Sequence, residues 1–214
     1  MGWPATAEEL VRVQRELGRA RPNPWRFQPG AVVGGCFVCF PRGPTGPGGA
    51  GDPAWAAAAG GGTVAAVSGE AGAPYEAGLL ALREGPLLEA AVRALPAPPD
   101  VLLVNATGLD HPRGAGLALH LGSVLCLPTV GVTHRPLLAV ADGDVLRLDG
   151  KEVGRLVTTR GGTRPLAVHA AWRTDPETAV AVVLVCCRGA RTPEPLREAR
   201  RLARLSRSRG PRGS

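Results

Sequence analysis

The run Val101-Leu102-Leu103-Val104 contains no polar residue, and it stands between two stretches with helical spacing. Four consecutive apolar residues leave neither face of a strand for water, so such a run belongs in the middle of a sheet covered on both sides. Ahead of it, Leu80, Leu87, Leu88, Ala91 and Leu95 recur at helical intervals within residues 79–95, and the proline-rich segment 96–99 ends that helix. Behind it, residues 114–125 read as a second helix and Thr129-Val130-Gly131-Val132 as a second strand. Strands alternating with helices predict an α/β architecture with right-handed crossovers.

The flanking segments fill out one domain over residues 1–205. Residues 6–20 are a predicted helix, with Thr6 as its cap, Glu9 three residues on, and Leu10, Val13 and Leu17 as its apolar stripe. A Pro- and Arg-rich loop leads into a β-type run at 31–33 and 36–40. Residues 41–53, dominated by Gly and Pro, read as a loop or flexible hairpin tip. Residues 63–67 are a candidate strand. Asp149-Gly150 is a turn between strand-like pieces at 145–148 and 152–157. An apolar helix over about 175–187 and a basic helix ending near Leu205 follow, and residues 206–214 are expected to be a disordered basic tail.

No segment reaches the roughly 18 apolar residues of a membrane span, and Met1-Gly2-Trp3-Pro4 lacks the pattern of a signal peptide. The expectation is a soluble, cytoplasmic monomer with no membrane partner. Five cysteines, an odd number, argue against a disulfide scaffold. Cys36 and Cys39 have CxxC spacing, but no second pair follows, and Phe37 and Val38 between them suit a strand better than a zinc or redox centre. The net charge is +7, and Lys151 is the only lysine, so nearly all the positive charge is arginine, whose planar fork suits phosphate. A GC-rich genome produces the same bias, so charge alone leaves a nucleic-acid partner open.

Four segments in order carry a resemblance. They are Pro74-Tyr75-Glu76-Ala77-Gly78 through Arg83-Glu84-Gly85-Pro86, then Val104-Asn105-Ala106-Thr107-Gly108 through Asp110-His111-Pro112-Arg113, then His120-Leu121-Gly122 with Leu127-Pro128-Thr129-Val130-Gly131-Val132, and Arg191-Thr192-Pro193-Glu194-Pro195. Together, over roughly residues 6–205, they resemble the endonuclease V family. The resemblance implies an RNase H-like fold, with a central mixed sheet flanked by helices. It also implies Mg²⁺- or Mn²⁺-dependent cleavage of nucleic acid near inosine, DNA more than RNA. Such hydrolysis needs a hard cation held by converging oxygen ligands to activate water and offset phosphate charge.

Carried over residue by residue, the family's metal ligands are unevenly retained. Glu84 stands at the family Glu and is the expected surviving metal ligand; taken alone it reads as a solvated Glu in a first helical turn. Phe37 occupies the place of the first-strand Asp, and a phenyl ring cannot coordinate a metal. Asn105 takes the place of the second Asp, keeping an oxygen and losing the charge. Asp110 is either a substitute ligand or a solvated turn residue. His111 matches the family histidine that assists at the phosphate, and Arg113 lies at a helix start that favours phosphate oxygens. His134 replaces the family lysine, with Arg135 beside it to make up charge. Trp172 replaces a late histidine. Tyr75 keeps the ring of the family's strand-separating wedge, which lets the odd base leave the stack, while the wedge's second proline has become Ala77.

Three functions follow from this pattern. The first is a nucleic-acid-binding relative with cleavage lost or weakened; the second is an active endonuclease using Glu84, Asn105 and Asp110; the third is a scaffold that keeps only the fold.

Overall fold

The computed structural model describes residues 2–20, 22–41 and 48–209. The strands are β1 (Val33–Cys39), β2 (Pro53–Gly60), β3 (Thr63–Glu70), β4 (Val101–Val104), β5 (Thr129–Thr133), β6 (Val140–Asp142), β7 (Val145–Leu148), β8 (Lys151–Val157) and β9 (Leu166–Ala170). The helices are α1 (Ala7–Arg19), α2 (Leu80–Arg93), α3 (Leu117–Leu125), α4 (Pro176–Val185) and α5 (Glu194–Arg209). All the strands join one mixed sheet in the order β3-β2-β1-β4-β5-β9-β8-β7-β6. The parallel pairings are β1 with β4 and β4 with β5, and the other neighbours pair antiparallel.

The central strand behaves as its composition requires. Leu102 and Val104 enter a core shared with Leu10, Leu88 and Leu121 of α1, α2 and α3. Val101 and Leu103 point the other way, into a core with Val182 of α4 and Leu196 of α5. None of the four is more than 1% exposed, and burying each contributes roughly 1.5–3 kcal/mol. The result is the expected central mixed sheet flanked by helices. The cap of α1 forms as predicted: Thr6 Oγ1 accepts from Glu9 N at 3.2 Å, and Glu9 Oε2 accepts from Ala5 N at 2.9 Å.

Helix α5 lies across β1 and β2. It approaches closely because the contact is built from small residues: Ala203 meets Ala57 and Cys39, and a Cβ on Gly35 would stand 2.6 Å from the carbonyl carbon of Pro195. The alanine run that forms β2 therefore serves packing on both faces of an element that no local pattern announces. The expected tail begins too early, because residues 206–209 continue α5. Arg207 and Arg209 favour the negative end of the helix, and Arg207 Nη1 donates to the carbonyl of Phe40 at 2.9 Å. Residues 210–214, and 42–47 of the Gly/Pro loop, lie outside the described residues. Cys36 and Cys39 face opposite sides of β1, so the CxxC spacing cannot close on one metal. Among the described residues no helix is long and apolar enough to cross a membrane.

Candidate functional site

In open α/β sheets, sites form beyond the carboxyl ends of the parallel strands. Here those ends are Cys39 of β1, Val104 of β4 and Thr133 of β5. Glu84, on α2, comes close enough to Cys36 for its charge to bear on the thiol, which burial first and Glu84 second push above its ordinary range. Glu84 is half-buried, and dehydration pushes its carboxyl up to about 7 against the opposing pull of Arg83. Cys36 pairs in register with Val104, so Asn105, exposed just past that pair, completes the rim.

Phe37 does not face this group. Its ring packs with Cys39, Ala203 and Leu202 against α5, under the guanidinium of Arg200 at 5.1 Å from the ring centroid. Successive side chains of a strand point to opposite faces, so the β1 position that faces Glu84 is Cys36. Phe37, expected at the place of the first-strand Asp, therefore lies on the α5 face of β1, under Arg200. The donor set is then a buried thiol, a carboxyl titrating near neutrality and a neutral amide. A hard cation such as Mg²⁺ or Mn²⁺ needs charged oxygen ligands, so these residues do not fit it. Among the described residues no three His, Cys, Asp or Glu side chains converge as a metal cluster.

Asp110, expected as a substitute ligand or a solvated turn residue, is not solvated. It is fully buried and accepts backbone N–H groups from Leu137 at 2.7 Å, Leu138 at 2.9 Å and Ala139 at 2.8 Å. His169 Nδ1 lies 3.7 Å from it, and His169 Nε2 lies 2.8 Å from Thr133 Oγ1. Thr133 gives its own proton to the carbonyl of Arg135 at 2.7 Å, so His169 carries its proton on Nε2. Burial holds this histidine down to about 4, although Asp110 pulls the other way.

His111 and Arg113 also turn inward. The carbonyl of Gly78 accepts from Arg113 Nη2 at 2.8 Å and Gln14 Nε2 at 3.0 Å, and lies 3.3 Å from His111 Nε2. Arg113 N donates to His111 Nδ1 at 3.3 Å, which leaves the proton on Nε2 to point at Gly78. Burial, then the charge of Arg113, holds His111 down to about 4. Both ring nitrogens of His111, the expected catalytic histidine, are thus engaged, and the Arg113 fork, expected at phosphate, holds Gln14 and Gly78. Gly78 has φ +83°, and a Cβ there would stand 3.0 Å from Arg113 Nη2. The sequence reading missed Gln14, whose signal is a polar residue between Leu10 and Leu17 on the buried stripe of α1; Cys36, Thr133 and Gly78 gave no such local signal.

These contacts hold the loop that carries Tyr75. Arg83, only 4% exposed, binds the carbonyls of Ala73 and Gly49 at 2.8 and 2.7 Å and Asp52 Oδ2 at 2.8 Å. Tyr75 N donates to Gly48 O at 3.1 Å, and its side chain stands half exposed. Beside it opens a cavity of about 180 Å³, lined by Tyr75, Gly78, Asn105, His111, Thr133 and Leu137. Just past Thr133, His134 is exposed, with Nδ1 accepting from Arg191 Nη1 at 2.9 Å. Arg135 is exposed next to it. Trp172 lies elsewhere, packed against Gly122 and lining a separate hollow of about 500 Å³ with Leu17, Pro24 and Lys151.

Comparison with known proteins fits this geometry. Residues 62–201 match the sequence model of the endonuclease V family. The chain is 42% identical over 151 residues to the endonuclease V of Gloeobacter violaceus, covering 66% of this chain and 61% of that relative's length. It superposes on the crystal structure of endonuclease V from Streptomyces avermitilis with a TM-score of 0.82 at 34% identity, covering 97% of this chain and 95% of the other. A further structure, endonuclease V of Ciona intestinalis bound to a 24mer DNA containing an inosine followed by a ribo-adenosine, shares the fold with a TM-score of 0.78 at 20% identity, covering 95% and 99% of the two chains.

Proposed function

This chain belongs to the endonuclease V family and has its RNase H-like fold, and on that premise we propose that it binds inosine-containing DNA while its metal-dependent cleavage is lost or weakened. The observation that carries the reading is the contrast between two halves of one site. On the recognition side, Tyr75 is presented on a loop tied down at Gly78, Ala73 and Gly48, beside a cavity into which a displaced base can turn. The Ciona relative's complex with inosine-bearing DNA supports the substrate class. On the cleavage side, Phe37 and Asn105 stand at the positions of the family's two Asp ligands, and Cys36, the β1 neighbour of Glu84, is a buried thiol.

In this reading the chain's own residues bind and orient. The tyrosine ring fills the gap left in the stack, and the cavity's polar rim, Asn105 and Thr133, offers an amide and a hydroxyl to the extruded base. Ala77, without proline's fixed backbone, leaves the loop's rigidity to Arg83 and to the donors on Gly78. Two measurements on the full chain test the proposal. Binding of labelled duplexes with and without a central deoxyinosine is expected to favour the deoxyinosine duplex, and nicking of that duplex in Mg²⁺ or Mn²⁺ is expected to be undetectable or strongly reduced. Robust metal-dependent nicking abolished by Glu84→Ala would establish the active endonuclease instead. Absence of binding at low salt would leave only a scaffold.

A further inference from the structure

Helix α4 is apolar on both its inner and its outer side. The inner side, with Ala179, Val182 and Val183, is buried where the helix packs on β5, β8 and β9. On the outer side Val180 and Ala181 are half-buried, and Leu184 and Val185 are 48% and 54% exposed. A helix lying on a sheet turns polar residues to water, as α1 does with Glu8, Arg12, Arg15 and Glu16, whereas a helix that is apolar all round is covered. Apolar side chains scattered singly over a surface are ordinary. Four on successive turns of one helix face form a patch of the kind that marks an interaction site.

Two charges bracket the patch. Glu177 stands in the first turn of α4, and Arg188 follows the last, close enough to the C-cap residue Cys186 for its charge to bear on that thiol. Both are exposed, and among the described residues neither pairs with an opposite charge within 4.0 Å. The order along the face is therefore acid, Val180-Ala181, Leu184-Val185, base, which is complementary to itself read backwards. A second α4 laid antiparallel on the first, about a two-fold axis between Ala181 and Leu184, sets Glu177 beside the second copy's Arg188. It also sets Val180 against the second copy's Val185 and Ala181 against its Leu184, and the small alanine lets the two axes approach to about 8–10 Å. A parallel pairing would instead set Glu177 against glutamate and Arg188 against arginine.

We infer that the outer face of α4 is an interface with a second copy of this chain, formed by two antiparallel α4 helices about a two-fold axis. In such an isologous contact each copy offers the same patch, so one self-complementary face suffices. Where the sequence predicted a monomer, the chain is then in equilibrium with a dimer. One helix face buries less than the roughly 800 Å² per partner of a standard interface, so the dimer is weak and depends on concentration. The cavity beside Tyr75 is lined from α1, α2 and α3, on the other face of the sheet, and the dimer leaves it open in both copies.

The test is sedimentation velocity of the full chain, without nucleic acid, from low- to high-micromolar protein. The weight-average mass is expected to rise with concentration from that of one chain toward that of two. Leu184→Glu brings two carboxylates, one from each copy, into the apolar centre and should raise the dissociation constant by more than about tenfold. Its thermal midpoint should stay near the parent's, because the parent side chain is half exposed. Glu177→Arg and Arg188→Glu, both at exposed positions, should each weaken the dimer by setting like charges across the two-fold. Together they restore every opposite pair, and the dissociation constant should return to within about twofold of the parent's. A parent that keeps the mass of one chain throughout overturns the inference and leaves α4 to a partner of another kind. Association that Leu184→Glu does not weaken puts the interface elsewhere, and a double reversal no tighter than either single change overturns the antiparallel pairing. None of these outcomes bears on the deoxyinosine test, which reads binding to DNA.

Discussion

Arg113 Nη2 donates to the carbonyl of Gly78 at 2.8 Å, joining residues 35 apart in the chain. The same guanidinium donates through Nε to Gln14 Oε1 at 2.6 Å, and Gln14 returns to that carbonyl. One backbone oxygen thus gathers α1, the segment before α3 and the loop of Tyr75 into a single rigid corner. Arg113→Ala removes a charge-assisted bond and leaves buried acceptors short of a donor, which costs on the order of 1.5–3 kcal/mol. Urea denaturation is expected to register that loss. Anisotropy should register a second effect, a weaker preference for deoxyinosine as the Tyr75 loop loosens; full retention of that preference would mean that Gly78 does not need Arg113 to hold the loop.

His120 makes a different kind of prediction. It is fully buried, neither ring nitrogen has a hydrogen-bond partner, and the ring stacks on Trp3 at 4.5 Å between centroids. Burial alone holds it down to about 4. A folded pKa below the unfolded one of about 6.5 means that its stabilising contribution is complete above pH 6.5 and is lost as pH falls toward 4. Between about pH 7.5 and 5 the loss is roughly 2 kcal/mol. His120→Leu removes the titration, so the difference in unfolding free energy between those two pH values should shrink by about that amount, with His111 and His169 supplying what remains. An undiminished difference would mean that the ring is already charged in the folded state.

Legibility in the sequence tracked how local each signal was. The strand at Val101–Val104 was plain because burial on two faces leaves no room for a polar residue. Strand β9 was not: Leu166-Ala167-Val168-His169-Ala170 contains two alanines and a histidine, and it is strand only because it lies antiparallel to β5. Tyr75 and Glu84 were found from motif. Asp110 was singled out, but its burial was not legible, because its partners at Leu137, Leu138 and Ala139 lie 27 to 29 residues away and no local spacing reveals them. Phe37 shows the limit of a motif match: the match names the position, and only the register of β1 shows that the ring lies on the α5 face.

Glu84 titrates in the opposite sense to the buried histidines. Its folded carboxyl sits near 7 against an ordinary glutamate value of 4.5, so its favourable contribution is present below pH 4.5 and is lost as pH rises through 7. Above pH 7 the buried anion costs roughly 1–3 kcal/mol, the lower end reflecting its partial exposure. Glu84→Gln should therefore raise the midpoint of thermal unfolding at pH 8 and leave it nearly unchanged at pH 4. Equal shifts at both pH values would mean that packing, not ionisation, separates the two side chains.

The register of β1 yields the most discriminating substitution. If Cys36 is the position that faces Glu84, then Cys36→Asp with Asn105→Asp restores three carboxylates around one point. Without metal that pair should lower stability, because a fully buried aspartate beside Glu84 adds like charge where water is excluded. With Mn²⁺ the loss should reverse, since an ion that binds only the folded state raises stability in proportion to the logarithm of its concentration over its dissociation constant. Phe37→Asp with Asn105→Asp is the control: its new carboxylate lies under Arg200 on the α5 face, so thermal unfolding should not respond to Mn²⁺. Calorimetric titration of both variants separates the alternatives, and a Mn²⁺ response confined to the Phe37→Asp pair would reverse the assignment of the β1 face.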